Sequence, residues 1–331
     1  MFRDMVVRFL KQEVVPVYDD WESDHIMPKA FWQTMGEAGL LLVDMPKQYG
    51  TAVAEVDVCM MIQEEMAKLG FLSFASGYRI RSNIVAPYIN NIGTEQQKEQ
   101  WLPKMASGKI VAAIAMTEPG AGSDLADMRT NAVNDGDEYI LNGSKTFITN
   151  GVYVDLVILC TKTDPSAGSK GISLFLVDTS LPRFSRVKKI EKMGQHCSDT
   201  AELVFSDMRI PANALLGEEG KGFVYLLEEL PRERLGCATQ AVYLAECALG
   251  LAAGYVTERK AFGQAVSKFQ NTRFKLASCK TEIELLKALL EKYIGLFKQG
   301  KMTTEHASII KLASTEMCLK VIDECLQLHG G

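Results

Sequence analysis

The hydrophobic period changes twice along this chain, which limits the fold to helical parts flanking a strand-rich part. From residue 1 to residue 109 apolar side chains recur three and four apart. Phe2, Met5, Val6, Phe9, Leu10 and Val14 make one helical stripe. Pro28 sits where a first helical turn would begin, ahead of Phe31, Trp32, Met35 and Ala38, and Gly39 ends that segment. Thr94 and Gln97 have the spacing of a capping box for a helix carrying Trp101 and Leu102, which Pro103 cuts short. Four to six helices are expected here.

Between residues 110 and 216 the apolar runs become short (110–115, 155–161, 172–177 and 201–205), with turn residues between them and a β-like segment at 129–133. Asn134-Asp135-Gly136-Asp137 and Asn142-Gly143 read as hairpin signals. Closely spaced strands joined by tight turns predict a small antiparallel barrel or sandwich, not β-α-β units. Beyond Gly220 the period is helical again over 222–257, 266–298 and 303–328, with a kink expected at Pro231 and a stop at Gln299-Gly300. The predicted class is α+β and multidomain: an N-terminal α-helical domain (1–109), a central β domain (110–216) and a C-terminal α-helical bundle (217–331). Three long helices want a fourth. The bundle is therefore expected to be incomplete at its C-terminal end, and the chain to be part of a longer protein; the abrupt start at Met1-Phe2 points the same way.

Charge and cysteine usage exclude several classes. A net charge of −5 without a long Lys/Arg run argues against nucleic-acid binding. No apolar stretch reads as a membrane span. The eight cysteines stand singly, without a C-x-x-C pair, and the four histidines lie far apart, so no metal site is expected. Reduced, buried cysteines of an intracellular protein are the expectation, with no signal or transit segment at the N-terminus.

The segment Met116-Thr117-Glu118-Pro119-Gly120-Ala121-Gly122-Ser123-Asp124 follows the first apolar run of the β region. Two glycines around an alanine let backbone approach a ligand, while Thr117 and Ser123 supply hydroxyls and the turn exposes successive N–H groups. A plain tight turn would look the same. The pattern is not the G-x-G-x-x-G of a Rossmann turn, because Leu125 stands at the third glycine position and a β-like segment follows. A nucleotide held here would be held from strands.

Residues 117–124 resemble the first signature of the acyl-CoA dehydrogenase family of flavoproteins. Lys145-Thr146-Phe147-Ile148-Thr149-Asn150-Gly151 resembles its second flavin segment, and Glu258-Arg259-Lys260-Ala261-Phe262-Gly263 its third. The similarity runs in order from Phe2 to Gly331. It implies FAD as cofactor and α,β-dehydrogenation of an acyl-CoA thioester: a carboxylate removes the α-proton and the β-hydrogen leaves as hydride to the flavin N5. In much of the family that glutamate would lie beyond residue 331. The isovaleryl-CoA and long-chain branches carry it on the first long C-terminal helix, before arginine and leucine, and Glu233-Arg234-Leu235 matches that pattern. Glu233 is thus the expected base. Leu230, Leu235, Gly236 and Cys237 around it would desolvate a carboxylate and raise its pKa toward the range of a general base. A surface glutamate paired with Arg232 or Arg234 is the bland alternative.

The resemblance further implies that Ile114, Ala115, Met116, Thr117, Glu118, Pro119, Gly120, Ala121, Gly122 and Ser123 line the flavin, Ser123 being shared with CoA. Phe147, Ile148 and Thr149 would cover its other face, with Phe147 where many members have tryptophan; a core aromatic is the alternative for Phe147. Arg259, Gln270, Gln327, Leu328, His329, Gly330 and Gly331 would reach the flavin of a neighbouring subunit, implying a homotetramer. Ser169, Lys170, Pro231, Arg232 and Arg234 would touch the acyl-CoA, Arg234 also supporting the base. Arg79 and Arg81 fall on a helix (72–89) resembling the acyl-pocket wall. Both are expected to face solvent, and one pointing inward would suit a carboxylated acyl chain. Expected partners are an acyl-CoA and an electron-transfer flavoprotein as acceptor, in the cytoplasm, or in the mitochondrial matrix for a mature eukaryotic chain. An oxidase or monooxygenase on the same fold, and a non-catalytic acyl-CoA- or flavin-binding subunit, are the alternatives.

Overall fold

The computed structural model describes residues 1–51 and 54–330. Among the described residues, seven α-helices precede the first strand: α1 (Phe2–Phe9), α2 (Tyr18–Ser23), α3 (Phe31–Glu37), α4 (Val56–Lys68), α5 (Leu72–Tyr78), α6 (Ala86–Ile92) and α7 (Glu95–Ala106). A π-helical run, Arg79–Val85, joins α5 to α6 without a break, so six continuous helical runs stand where four to six were expected. The Thr94/Gln97 capping box forms, each side chain bonding the other residue's N–H.

The strands are β1 (Ala112–Ala115), β2 (Asn131–Asp135), β3 (Glu138–Thr149), β4 (Leu156–Lys162), β5 (Ile172–Asp178), β6 (Phe184–Lys189), β7 (Thr200–Pro211) and β8 (Leu215–Leu216). A two-stranded ribbon follows later, β9 (Lys260–Ala261) with β10 (Gln264–Ala265). Three long helices complete the chain: α8 (Gly222–Glu258), α9 (Gln270–Lys298) and α10 (Thr304–His329). The residues divide into two compact units.

The sheet unit comprises residues 11–55 and 76–229. Its eight strands form one sheet in the order β6-β7-β3-β2-β4-β5-β8, with β1 beside β4. Pairing is antiparallel except that β1 runs parallel to β4 and β2 meets β4 in parallel at Asn131 and Lys162. β3 and β5 stand three places apart, roughly 14 Å on a flat sheet. Yet the Tyr139 and Phe175 rings touch at 4.8 Å between centroids, so the sheet curls around its own core. Leu141, Leu159, Val177, Leu203 and Phe205 fill that core; each such side chain contributes about 1.5–3 kcal/mol by leaving water.

One turn expectation is corrected. Asn134 to Asp137 does turn the β2–β3 hairpin, but Asn142-Gly143 lies inside β3 as a bulge, where the register with β7 shifts. Gly143 has φ 144°, and a Cβ there would lie 2.4 Å from Thr130 Oγ1. Its glycine serves a close approach of β3 to Thr130, not a chain reversal.

The helical unit comprises residues 1–10, 56–75 and 230–331. Leu235, Ala238, Val242, Ala245, Leu249 and Ala252 of α8 alternate three and four apart and are all buried. The alanines let α9 and α10 come close, with Ile283, Leu290, Ile310 and Val321 facing them. Tyr255, near the end of α8, donates to the carbonyl of His329 at the end of α10 at 3.1 Å, and their rings stack at 4.5 Å. Thus α8 and α10 run parallel, with α9 antiparallel between them in sequence. Among the described residues, helix α8 alone is long and apolar enough by composition to cross a membrane. Half of its most apolar window is buried inside the protein, as in a core helix.

Candidate functional site

Strand β1 is buried at all four positions, and it delivers the chain to the 116–124 loop at the sheet's edge. The loop closes on itself: Glu118 N–H donates to the Ala121 carbonyl at 2.9 Å, and Ala121 N–H returns to Glu118 at 3.2 Å. Pro119, Gly120, Gly122 and Ser123 are exposed, and a Cβ on either glycine would meet nothing within 4 Å. The backbone is therefore open to a ligand on that side. The Ala115, Glu118 and Ala121 side chains are buried, so these three can offer a ligand only backbone.

The Glu118 carboxylate anchors the loop from beneath. It accepts the N–H groups of Arg129 at 2.7 Å and Thr130 at 3.0 Å, and the Lys145 ammonium at 2.8 Å. Lys145 is fully buried and also donates to the Met116 carbonyl at 2.8 Å. Burial alone would raise the Glu118 pKa, but the hydrogen bonds from Lys145, Thr130 and Arg129 outweigh it and hold the carboxyl below its usual value. Burial lowers the Lys145 pKa, against the pull of Glu118, and pushes the adjacent Cys160 thiol up to about 12.

The second segment is stitched to this loop by Thr146 N–H, which donates to the Thr117 carbonyl at 2.9 Å. Here β3 bulges a second time against β7, between Lys145 and Ile148. Phe147 adopts φ 59° and is 64% exposed, which excludes the core-aromatic alternative. A bulky residue held left-handed with its ring in the open is costly, and such outliers cluster at functional sites. Ile148 points the other way into the sheet core, so its side chain cannot cover a cofactor as expected. Thr149 is half-buried. Asn150, also left-handed at φ 65°, donates to the carbonyls of Gly77 at 3.1 Å and Ala112 at 3.3 Å and fixes the end of the bulge.

Ser169 and Lys170 lie on the short helical turn Pro165–Gly171, the first half-buried and the second exposed. Arg81 corrects its expectation. It does not face solvent: it is fully buried, donates to the carbonyls of Ile110 and Met105, and lies 5.0 Å over the Trp32 ring. Burial pulls its pKa down to about 9, which leaves it charged at neutral pH. Arg79 is half-buried.

In the helical unit, Pro231, Glu233 and Arg234 are half-buried on α8 and Arg232 is buried; Arg234 donates to Ser308 of α10 at 3.0 Å. Arg259 follows α8, Gln270 opens α9, Gln327, Leu328 and His329 end α10, and Gly330 caps it. The parallel course of α8 and α10 gathers them at one end of the unit. All are exposed except Leu328, which packs partly against the core. Gly331 lies outside the described residues.

Sequence reasoning missed Lys145 as a site residue. Its signal was a lone lysine between strand residues of the second segment, a position that burial makes costly unless a carboxylate meets it.

An α+β protein whose strand-end loop and bulged strand present open backbone and an exposed aromatic is a cofactor-binding architecture without a Rossmann turn. Residues 1–109 match the family description "Acyl-CoA dehydrogenase, N-terminal domain", 113–208 the middle domain and 220–331 the C-terminal domain. The long-chain specific acyl-CoA dehydrogenase of Rattus norvegicus mitochondria is 43% identical over 333 residues, spanning 100% of this chain and 77% of the relative. The crystal structure of an acyl-CoA dehydrogenase from Geobacillus kaustophilus superposes with a TM-score of 0.97 at 47% identity, covering 100% of this chain and 87% of that one. A glutaryl-CoA dehydrogenase from Mycobacterium smegmatis, solved in complex with FADH2, gives 0.92 at 30% identity, covering 99% and 83%.

The chain belongs to the acyl-CoA dehydrogenase family: it is a flavin-dependent oxidoreductase with that family's three-domain fold and uses FAD. The open glycines of the loop and the exposed ring of Phe147 fit such a cofactor.

Proposed function

We propose that this protein dehydrogenates an acyl-CoA between its α and β carbons, with Glu233 as the base that removes the α-proton. The observation that carries the reading is the second flavin segment: Phe147 is exposed at φ 59° on a bulge bonded directly to the first. Bound FAD supplies a two-electron acceptor for the β-hydrogen. The open backbone and hydroxyls of Met116, Thr117, Gly120, Gly122 and Ser123 would hold it, with Ile114 behind them and Phe147 and Thr149 flanking it.

Glu233 sits half-buried on α8 beside buried Leu235 and Gly236. Arg234, fixed by Ser308, supports the acyl end, while Pro231, Arg232, Ser169 and Lys170 contribute to acyl-CoA binding. Arg259, Gln270 and Gln327 to Gly331 serve a flavin of a neighbouring subunit in a homotetramer, the assembly typical of the family; the exposure of Arg259, Gln270, Gln327, His329 and Gly330 at one end of the helical unit favours this. The domains run 1–109, 110–216 and 217–331. Electrons pass to an electron-transfer flavoprotein, in the cytoplasm or the mitochondrial matrix.

The test is an anaerobic titration of the full-length protein with acyl-CoAs of graded length, following flavin absorbance. Bleaching by one chain length, lost in Glu233→Gln with flavin retained, is the expected result. Bleaching that survives in Glu233→Gln puts the base elsewhere. Flavin that never bleaches favours a monooxygenase or a binding subunit.

A further inference from the structure

The Lys145–Glu118 pair lies beneath the flavin loop, and neither side chain has been given a part in binding or chemistry. Its geometry determines which way the loop's peptides face. Lys145 Nζ holds the Met116 carbonyl at 2.8 Å, and Thr146 N–H holds the Thr117 carbonyl at 2.9 Å, so both carbonyls turn toward β3. In a trans peptide the C=O and the following N–H point in opposite directions. The N–H of Thr117 must therefore point away from Lys145, and it makes no hydrogen bond within the described residues.

A lysine with no exposed surface is costly to keep charged, and Glu118 offsets that cost at 2.8 Å. Glu118 is itself committed to the Arg129 and Thr130 N–H groups, which tie the far side of the loop to the start of β2. One ammonium thus links both flavin segments, and one carboxylate fixes the ammonium.

We infer that Lys145 is a positioning residue for the cofactor: by holding the Met116 carbonyl inward it presents the Thr117 N–H outward as a preformed donor to the flavin, with Glu118 as its counter-ion. This rests on the reading of residues 114–123 as the flavin loop. Lys145→Met removes the hold on Met116. Glu118→Gln keeps it and removes only the charge.

The test strips flavin from the full-length wild type and both variants and titrates each with FAD. The readouts are flavin fluorescence, the visible absorption band and the apoprotein melting temperature. Lys145→Met is expected to bind FAD about tenfold more weakly than Glu118→Gln, the equivalent of one hydrogen bond. Its flavin band should also shift, while the two variants melt at similarly lowered temperatures. If Lys145→Met does not fold, Lys145→Gln, whose amide ends one bond short of the ammonium, takes its place. Equal affinity and an unshifted band in both variants, with wild type binding normally, would overturn the positioning role alone. A wild type that takes up no FAD would remove the functional reading beneath it as well.

Discussion

Replacing Phe147 separates backbone strain from cofactor contact. A phenylalanine carries about 200 Å² of surface, of which 64% is exposed here. The buried remainder, about 70 Å², contributes about 2 kcal/mol to the fold at 25 cal/mol per Å². Against that stands the left-handed backbone at φ 59°, worth about 1–2 kcal/mol of strain for any residue with a Cβ. Phe147→Ala loses the packing and keeps the strain, so the apoprotein should lose about 2 kcal/mol. Phe147→Gly loses the packing and relieves the strain, less about 0.5–1 kcal/mol of added unfolded-state entropy. It should lose only about 1 kcal/mol. Glycine would then outrank alanine, the reverse of the usual order inside a strand. If FAD covers the exposed part, about 130 Å², both variants lose about 3 kcal/mol of affinity, or about a hundredfold. Urea denaturation of the apoproteins and FAD titration by fluorescence give the two quantities. An alanine variant at least as stable as the glycine variant refutes the strain argument. FAD affinity within threefold of wild type refutes the ring contact.

Two further outcomes follow from the buried charges. The folded pKa of Glu118 lies below its unfolded value of 4.5, so the unfolded chain binds more protons as pH falls below 4.5. The stability contributed by the carboxylate is complete above pH 4.5 and is lost as pH falls through the depressed value. Glu118→Gln should accordingly lie below wild type in urea midpoint at pH 7, with the gap narrowing below pH 4.5; a constant gap contradicts the linkage. Arg81 has no exposed surface, its Nη2 is held by the Met105 and Ile110 carbonyls, and its guanidinium lies over the Trp32 ring. Turnover should therefore show no preference for a dicarboxylyl-CoA over the matched fatty acyl-CoA, and a clear preference would mean that this arginine serves a substrate carboxylate.

Much of this architecture is legible residue by residue. Helices α8, α9 and α10 follow from apolar spacing that survives burial, and their ends fall within a few residues of those expected, because caps and glycines such as Thr303 and Gly300 act locally. The short apolar runs of the β region become β1, β4, β5 and β7 for the same reason. In sequence an Asn-Gly pair such as Asn142-Gly143 suits a tight turn and a bulge equally. Only the approach of Thr130, immediately before the paired β2, decides between them.

By itself the sequence determined the periods, and hence the helical, strand-rich and helical order. It also determined the residue types of segments 116–124 and 145–151 and the Glu233-Arg234-Leu235 pattern, because these depend on side-chain chemistry at short spacing. Tertiary structure alone decided the strand order, the curl that brings Tyr139 to Phe175, the burial of Arg81 and the outward ring of Phe147. It alone paired Lys145 with Glu118, 27 residues apart. Each of these is settled by which surfaces exclude water and which buried charges find partners, and those conditions exist only once distant segments have met.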